Sequence, residues 1–476
     1  MGFGNQALAA FFNALQLIEH ELLIFAAFWF IIGLFDEFAI DLAWLALRLT
    51  GRGKTRRLPQ GYGQAALHGR AAVLIPAWQE AAVIATTLGY AMAAWPQSAL
   101  RIYVGCYRND SHTLSAAIGG AARDSRVRLV ILDRGGPTTK ADCLNRLYAA
   151  LDADEVRSGV PFRSVVLQDA EDMVHPAGLQ AIDQALGTYD FVQLPVRPEP
   201  SPHARWIAGH YADEFAEAHG KLLVVRSALG AGIPAAGVGC GFARTALADL
   251  AAERQREGGA GPFAAECLTE DYELGLTLSR SPRGATFLRL RDADGALVAT
   301  RSYFPATLDR AVRQKTRWVQ GIAFQGWERL GWSLRPVELW MALRDRRGPL
   351  TALVLAAAYL LLLIDGFLWL ARQAGLTGPA PGSPVAAAML ALTFAGFVWR
   401  AALRCAFTTR EYGWREGLLA VLRIPVSNII AIMAGRRALA AYLRGLRGEP
   451  LRWDKTLHLD HPARPESAPL ALQLAR

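Results

Sequence analysis

Two apolar runs, Pro349 to Leu370 and Pro384 to Phe407, most restrict what this chain can become. Each is about as long as a bilayer crossing, roughly 20 residues. A backbone in lipid must satisfy its own hydrogen bonds, so both runs are expected to be helices. Asp365 is the one acid in the first run, and Arg400 and Arg404 lie near the end of the second, as a return to the cytoplasm requires. A third stretch, Gly417 to Ala434, contains Arg423 and Pro425 and has arginines on both sides. That pattern predicts an interfacial helix near 417–448. At the other end, residues 1–50 are apolar but carry Glu19, Glu21, Asp36, Glu37 and Asp41. Leu22 to Leu34 alone is too short to span, so one crossing near 22–48 is expected, with an amphipathic lead-in and its acids facing protein or a wet cavity. No basic leader or secretory cleavage pattern precedes it.

These runs divide the chain into an N-terminal membrane segment (1–50), a domain (51–348), a membrane region (349–448, crossings near 350–371 and 384–408) and a tail (449–476). The basic loop Arg52, Lys54, Arg56, Arg57 and Arg70 should lie on the cytoplasmic side, and the domain and the tail with it. The formal charge of +9 reads as topology, because much of the basic excess lies beside apolar spans. No basic–aromatic platform supports nucleic-acid binding. The five cysteines are scattered without a CxxC pair. They argue against a zinc site or a disulfide framework and suit a reducing compartment.

Within the domain, short β-branched runs alternate with helical patterns. Ala71–Ile75, Ile102–Gly105, Val127–Leu132 and Arg163–Leu167 read as buried strands, with helices from about Glu80, Ser111 and Lys140 between them. This alternation predicts an α/β fold with a doubly wound, mainly parallel sheet. The fourth strand turns polar at once: Gln168-Asp169-Ala170-Glu171-Asp172 brings three carboxylates in four residues. Ligands of open α/β sheets bind at the strands' carboxyl ends. Hard carboxylate oxygens there suit Mg²⁺ or Mn²⁺ holding a diphosphate, while a solvated acidic turn would look the same in sequence.

Other positions each allow two readings. Asp110, after the second strand, either meets a base or ribose or caps the helix from Ser111. Lys140 either meets a phosphate at a helix N-terminus or lies on the surface. In Thr269-Glu270-Asp271, Thr269 is an N-cap with acids complementing the helix dipole, or Asp271 is a general base for an attacking hydroxyl. Gln314, Arg317 and Trp318 share one helix face. They suit phosphate and sugar contacts, or an interfacial helix with an aromatic anchor.

Taken in order, the carboxylate, the acidic triplet, Thr-Glu-Asp and Gln-x-x-Arg-Trp, followed by apolar spans, resemble membrane-bound family 2 glycosyltransferases. That family includes the cellulose, chitin and hyaluronan synthases, and the likeness covers roughly residues 70–435. Asp169-Ala-Glu-Asp-Met-Val-His-Pro, Gly239-Cys-Gly-Phe-Ala-Arg244 and Leu451-Arg-Trp453-Asp454-Lys455-Thr456-Leu-His458 resemble most the phage adsorption protein B type of inner-membrane enzyme. The resemblance implies a GT-A-like domain with flanking transmembrane and interfacial helices in a bacterial inner membrane. It implies an inverting, metal-assisted transfer of a hexose or N-acetylhexosamine from a UDP-sugar to a growing exopolysaccharide. By the same resemblance Asp110 meets the uridine, and Asp169 with Glu171 or Asp172 holds Mg²⁺ or Mn²⁺. Lys140, Gln314 and Arg317 serve the donor, Asp271 is the base with Glu270 beside it, and Trp318 and Gly239, Cys240 and Gly241 lie at the acceptor. Glu171 departs from the Asp-x-Asp pattern.

Two rival expectations stand beside this. One is transfer of a single sugar to a lipid-linked acceptor, favoured by so few spans. The other is a catalytically silent envelope scaffold or phage-receptor component, which loss of Asp271 or of the triplet would have indicated. The resemblance also implies an outer-envelope export partner and control by cyclic di-GMP. The shortness of the sequence after Trp453 would assign that control to a partner chain.

Overall fold

The computed structural model describes residues 2–201, 203–378, 382–448 and 460–464. The tail motif from Leu451 to His458 lies outside them.

A seven-stranded sheet forms the core of the domain. Its strands are β1 (Arg70–Ala77), β2 (Leu100–Tyr107), β3 (Val127–Leu132), β4 (Phe162–Leu167), β5 (Phe191–Gln193), β6 (Cys240–Ala243) and β7 (Ala285–Phe287). The spatial order is β3-β2-β1-β4-β6-β5-β7. All neighbours are parallel except β6, which runs antiparallel to β4 and β5. Val73 sits between Ile102 and Val166 in register, and all three are buried, as strands covered on both faces require. Phe191 and Phe242 stack with ring centroids 5.0 Å apart on adjacent strands. The doubly wound, mainly parallel, GT-A-like architecture is thus the observed one. Its winding reverses between β1 and β4, so the crevice at their carboxyl ends is where a ligand belongs.

Outside this sheet, Thr300–Tyr303 pairs in parallel with Val196–Glu199. Met173 N donates to Arg301 O at 2.8 Å, tying this small sheet to the acidic loop after β4.

Among the described residues, four helices are long and apolar enough to cross a membrane: Gln6–Leu49, Gly348–Gln373, Pro384–Tyr412 and Ile424–Gly445. The N-terminal segment is one continuous helix, Gly2–Leu49, within which the expected lead-in and the crossing near 22–48 both fall. The stretch contains no proline to break it. The expected interfacial helix at 417–448 is two helices, Trp414–Leu422 and Ile424–Gly445. Arg423 at their junction does not face an interface: it is buried and donates to Asp213 Oδ1 at 2.7 Å and Gly209 O at 3.3 Å. Pro425 sits in the first turn, where no amide donor is lost.

Asp36, Glu37 and Asp41 of the first helix face protein, whereas Glu21 is exposed. Asp36 and Glu37 pair with Arg344 and Arg347, and Asp41 Oδ1 lies 2.5 Å from Lys221 Nζ. Lys221 also holds Glu217 at 2.7 Å and is almost fully buried. This network fastens the first helix to the domain beneath the cavity described next.

Candidate active site

The acidic loop grows out of β4 and is held by backbone hydrogen bonds on several sides. Gln168 N donates to Leu74 O at 3.2 Å, and Thr87 Oγ1 donates to Ala170 O at 2.5 Å. Asp172 Oδ2 accepts the Asp169 amide at 2.6 Å, curling the loop so that Asp172 is buried while Asp169 is part-exposed. Burial, with Asp169 and Glu171 nearby, raises the Asp172 carboxyl well above its usual range. His461 Nε2 lies 3.3 Å from the Asp172 carbonyl oxygen, and its Nδ1 accepts the Ala463 amide at 3.0 Å, leaving Nε2 as the donor.

A cavity of about 390 Å³ opens beside this loop. Its wall includes Lys140, Asp169, Glu171, Asp172, Glu270, Asp271, Gln314, Arg317 and Trp318. Thr139 Oγ1 accepts the Asp142 amide at 3.2 Å and so starts the helix Lys140–Ser158, placing Lys140 in its first turn. Lys140 Nζ is 2.5 Å from Asp169 Oδ1. Burial opposes the charge on Lys140, but Asp169, Glu270 and Asp271 outweigh it and hold the ammonium protonated.

Glu270 and Asp271 open the helix Glu270–Leu278, where the dipole favours acids. Asp271 Oδ1 accepts the Tyr272 amide at 2.8 Å. Burial raises the Asp271 carboxyl while Lys140 pulls it down, and burial together with Asp271 pushes Glu270 up to about 7. Gly237, with φ +76°, comes so near that a Cβ there would lie 2.5 Å from Asp271 Oδ2 and 3.2 Å from Lys140 Nζ. Only glycine fits this approach. Thr269 makes no side-chain cap, and its buried Oγ1 has no hydrogen-bond partner, so the capping alternative is not realised.

Gln314, Arg317 and Trp318 lie on the helix Leu308–Val319. Gln314 Oε1 is buried without a partner, an acceptor aimed at nothing in the protein. Trp318 packs edge-on to Tyr211 with centroids 6.0 Å apart, and Ala311 and Val312 pack with Ile430 of the last long helix. The face is amphipathic and lines the cavity.

The remaining expected residues are placed differently. Asp110 is outside the cavity wall: its Oδ2 accepts the Gln79 amide at 2.5 Å and its Oδ1 the Thr113 amide at 3.3 Å, the helix-cap alternative. Gly239, Cys240 and Gly241 are likewise not on the wall. Cys240 is fully buried within β6, and a Cβ on Gly241 would lie 2.1 Å from Ile182 Cγ2, so Gly241 serves helix-on-sheet packing, while a Cβ on Gly239 would lie 2.6 Å from Thr300 Oγ1. The wall there is made by Pro234, Ala235, Ala236 and Val238. Sequence reasoning missed Phe215, His219, Tyr303 and Phe304, which also line the cavity. Only an aromatic run, Tyr303-Phe304-Pro305, could have hinted at them.

Asp169 and Glu171, both on the cavity wall, offer hard oxygen donors. Among the described residues, no group of three or more His, Cys, Asp or Glu side chains is arranged to hold a metal by itself. Such a donor set fits an ion whose coordination is completed by substrate phosphates.

Residues 68–321 match the model of a family described as glycosyltransferase like family 2. Bacteriophage adsorption protein B of Escherichia coli K12 is 34% identical over 416 residues, covering 82% of this chain and 55% of that protein. The chain therefore spans about half the length of this curated relative. A mannosyltransferase from Pyrobaculum calidifontis, solved with GDP-Man and Mn²⁺, aligns with TM-score 0.49 at 19% identity over 86% of this chain and 99% of that one. Glucosyl-3-phosphoglycerate synthase from Mycobacterium tuberculosis, solved with Mn²⁺, UDP and phosphoglyceric acid, aligns with TM-score 0.34 at 18% identity over 56% and 79%.

Proposed function

The chain belongs to the family 2 glycosyltransferases, and we propose that it moves a hexose or N-acetylhexosamine from a UDP-sugar to a growing exopolysaccharide at the cytoplasmic membrane, with inversion. One observation carries this reading. Asp169 and Glu171 from one strand end, Asp271 from a helix start, and Gln314, Arg317 and Trp318 from a third element line a single cavity. A donor diphosphate needs the first set and an acceptor hydroxyl the second.

Asp271 takes the proton from the acceptor hydroxyl as that oxygen bonds to the sugar's anomeric carbon. The bond from that carbon to the diphosphate oxygen breaks, and its electron pair leaves with UDP. A single displacement of this kind inverts the anomeric centre and needs no enzyme nucleophile. Lys140 and Arg317 place positive charge where the leaving group develops its own, an electrostatic contribution of on the order of 10²–10³ in rate per group. Asp169 and Glu171 would hold Mg²⁺ or Mn²⁺, which supplies further charge neutralisation on the diphosphate. Asp172, committed to the Asp169 amide, orients the loop instead.

The fourth long apolar helix bears on the acceptor. Too few spans was the main reason to expect single-sugar transfer to a lipid, and that reason weakens. The basic 51–70 loop supports a cytoplasmic domain. UDP release by the detergent-purified protein, with a panel of UDP-sugars and Mg²⁺ or Mn²⁺, tests the reading, with Asp271→Asn as control. Release from one donor that the substitution abolishes is the expected result, and product length separates polymerase from single-sugar enzyme. Release that survives the substitution removes Asp271 as base.

A further inference from the structure

The cavity wall also carries an aromatic group that the donor chemistry does not fully use. Phe215, His219, Phe304 and Trp318 form it. Phe215 lies 5.0 Å from the His219 ring, 5.3 Å from Phe304 and 6.4 Å from Trp318, centroid to centroid. His219 is 8% exposed, and backbone alone holds its Nδ1: the Val196 amide nitrogen at 2.9 Å and the Val196 carbonyl oxygen at 3.1 Å. Among the described residues, Nε2 has no protein partner. His219 lines the cavity, and its Nε2 is not sealed off from that space.

We propose that His219 is an acceptor-specificity residue, whose Nε2 hydrogen-bonds a hydroxyl of a neutral sugar seated among Phe215, Phe304 and Trp318. The inference rests on the transferase reading above and adds the class of its acceptor. A hydroxyl both donates and accepts, so it satisfies Nε2 in either tautomer. Aromatic faces suit the apolar faces of sugar rings, and burial lowers the His219 pKa to about 4, which keeps the ring neutral and gives an acceptor phosphate no charge to bind. His219 belongs to a π-helical turn, Ala218–Leu222, and a second such segment, Gln320–Gln325, contributes Ile322 to the same wall. Such turns place side chains that a regular helix would rotate away, and they recur at functional sites.

The test is binding of cellotetraose and chitotetraose to the full purified chain, read by tryptophan fluorescence in the presence of UDP and Mn²⁺. His219→Asn keeps a short polar group for the Val196 backbone and loses reach at the Nε2 position, whereas His219→Gln retains that reach. Expected is binding of at least one oligosaccharide, weakened on the order of 10-fold in H219N and within about threefold of wild type in H219Q. Equal affinity in wild type and H219N overturns the inference, as does failure of both oligosaccharides to bind. UDP release from the same preparation keeps the two readings apart. Release without glycan binding leaves the transferase standing and removes the neutral acceptor. Glycan binding that depends on His219, with no release from any donor, does the reverse.

Discussion

Lys140 and Asp169 meet at 2.5 Å, one from the start of a helix and the other from the end of a strand. The ammonium thus occupies a carboxylate oxygen that the proposed donor complex assigns to a cation. In the proposed reading a diphosphate with its metal would give both groups new partners of opposite charge, and the pair would be a resting contact. Asp169→Asn and Glu171→Gln are expected to weaken Mn²⁺ binding in the presence of UDP by roughly 10-fold or more, read by electron paramagnetic resonance. Asp172→Asn should act mainly on thermal stability. Equal loss of Mn²⁺ in all three variants would contradict the division of labour.

The pH dependence follows from Asp271. A base works only when deprotonated, and burial raises the pKa of this one. The acid limb of kcat/KM should therefore lie above the ordinary carboxylate value of about 4, with activity falling as pH drops through it. Asp271→Asn should cost on the order of 10²–10⁴ in rate. For Glu270 the sign can be read in stability. Its folded pKa of about 7 exceeds the unfolded value of 4.5, so the stability it contributes is full below 4.5 and lost as pH rises through 7. Glu270→Gln does not ionise, and its Tm advantage over wild type should widen between about pH 5 and 8.

Two glycines separate site from scaffold. Gly237→Ala should leave a folded protein, destabilised by about 1 kcal/mol from its left-handed φ, with transfer reduced on the order of 10-fold by the clash with Asp271. Gly241→Ala drives a methyl into Ile182 and should lower the folded yield instead, because overpacking costs about 1–3 kcal/mol. Thermal melts and activity per folded molecule distinguish the two. Reversed outcomes would return Gly241 to the acceptor site.

Lys221 is almost fully buried between Asp41, Glu37 and Glu217. Removing it as Lys221→Met leaves carboxylates without their cation and should cost about 3–5 kcal/mol. Asp41→Asn combined with Lys221→Met should recover part of this in a thermal-aggregation assay in detergent. No recovery would mean that the two residues are not coupled.

His461 supports the acidic loop from outside the cavity through the Asp172 carbonyl. His461→Ala should raise the donor KM by roughly 5-fold with little change in kcat, since one hydrogen bond worth about 1 kcal/mol positions the loop before chemistry. A fall in kcat alone would place His461 in a later step.

The amino-acid order alone determined a great deal. The short, continuous apolar runs and the helices between them specify a doubly wound sheet, because a strand buried on both faces leaves few alternatives. The polarity flip after Leu167 put carboxylates at the sheet's carboxyl edge, and three apolar stretches announced long helices. Tertiary structure decided the rest. Asp110 and Asp172 look like ligands in sequence, yet their carboxylates are taken by backbone amides of neighbouring loops. Gly239-Cys240-Gly241 looks like a binding loop and packs the sheet, while Gly237, two residues earlier, touches the site. Arg423 suggested an interfacial helix in sequence, whereas in the fold it is buried against Asp213. His219 carried no motif at all, and a π-turn with aromatic neighbours from two other segments put it on the cavity wall. Periodicity is a local property that a sequence displays. Whether a polar group is spent on the protein or left for a ligand depends on partners that only folding brings together.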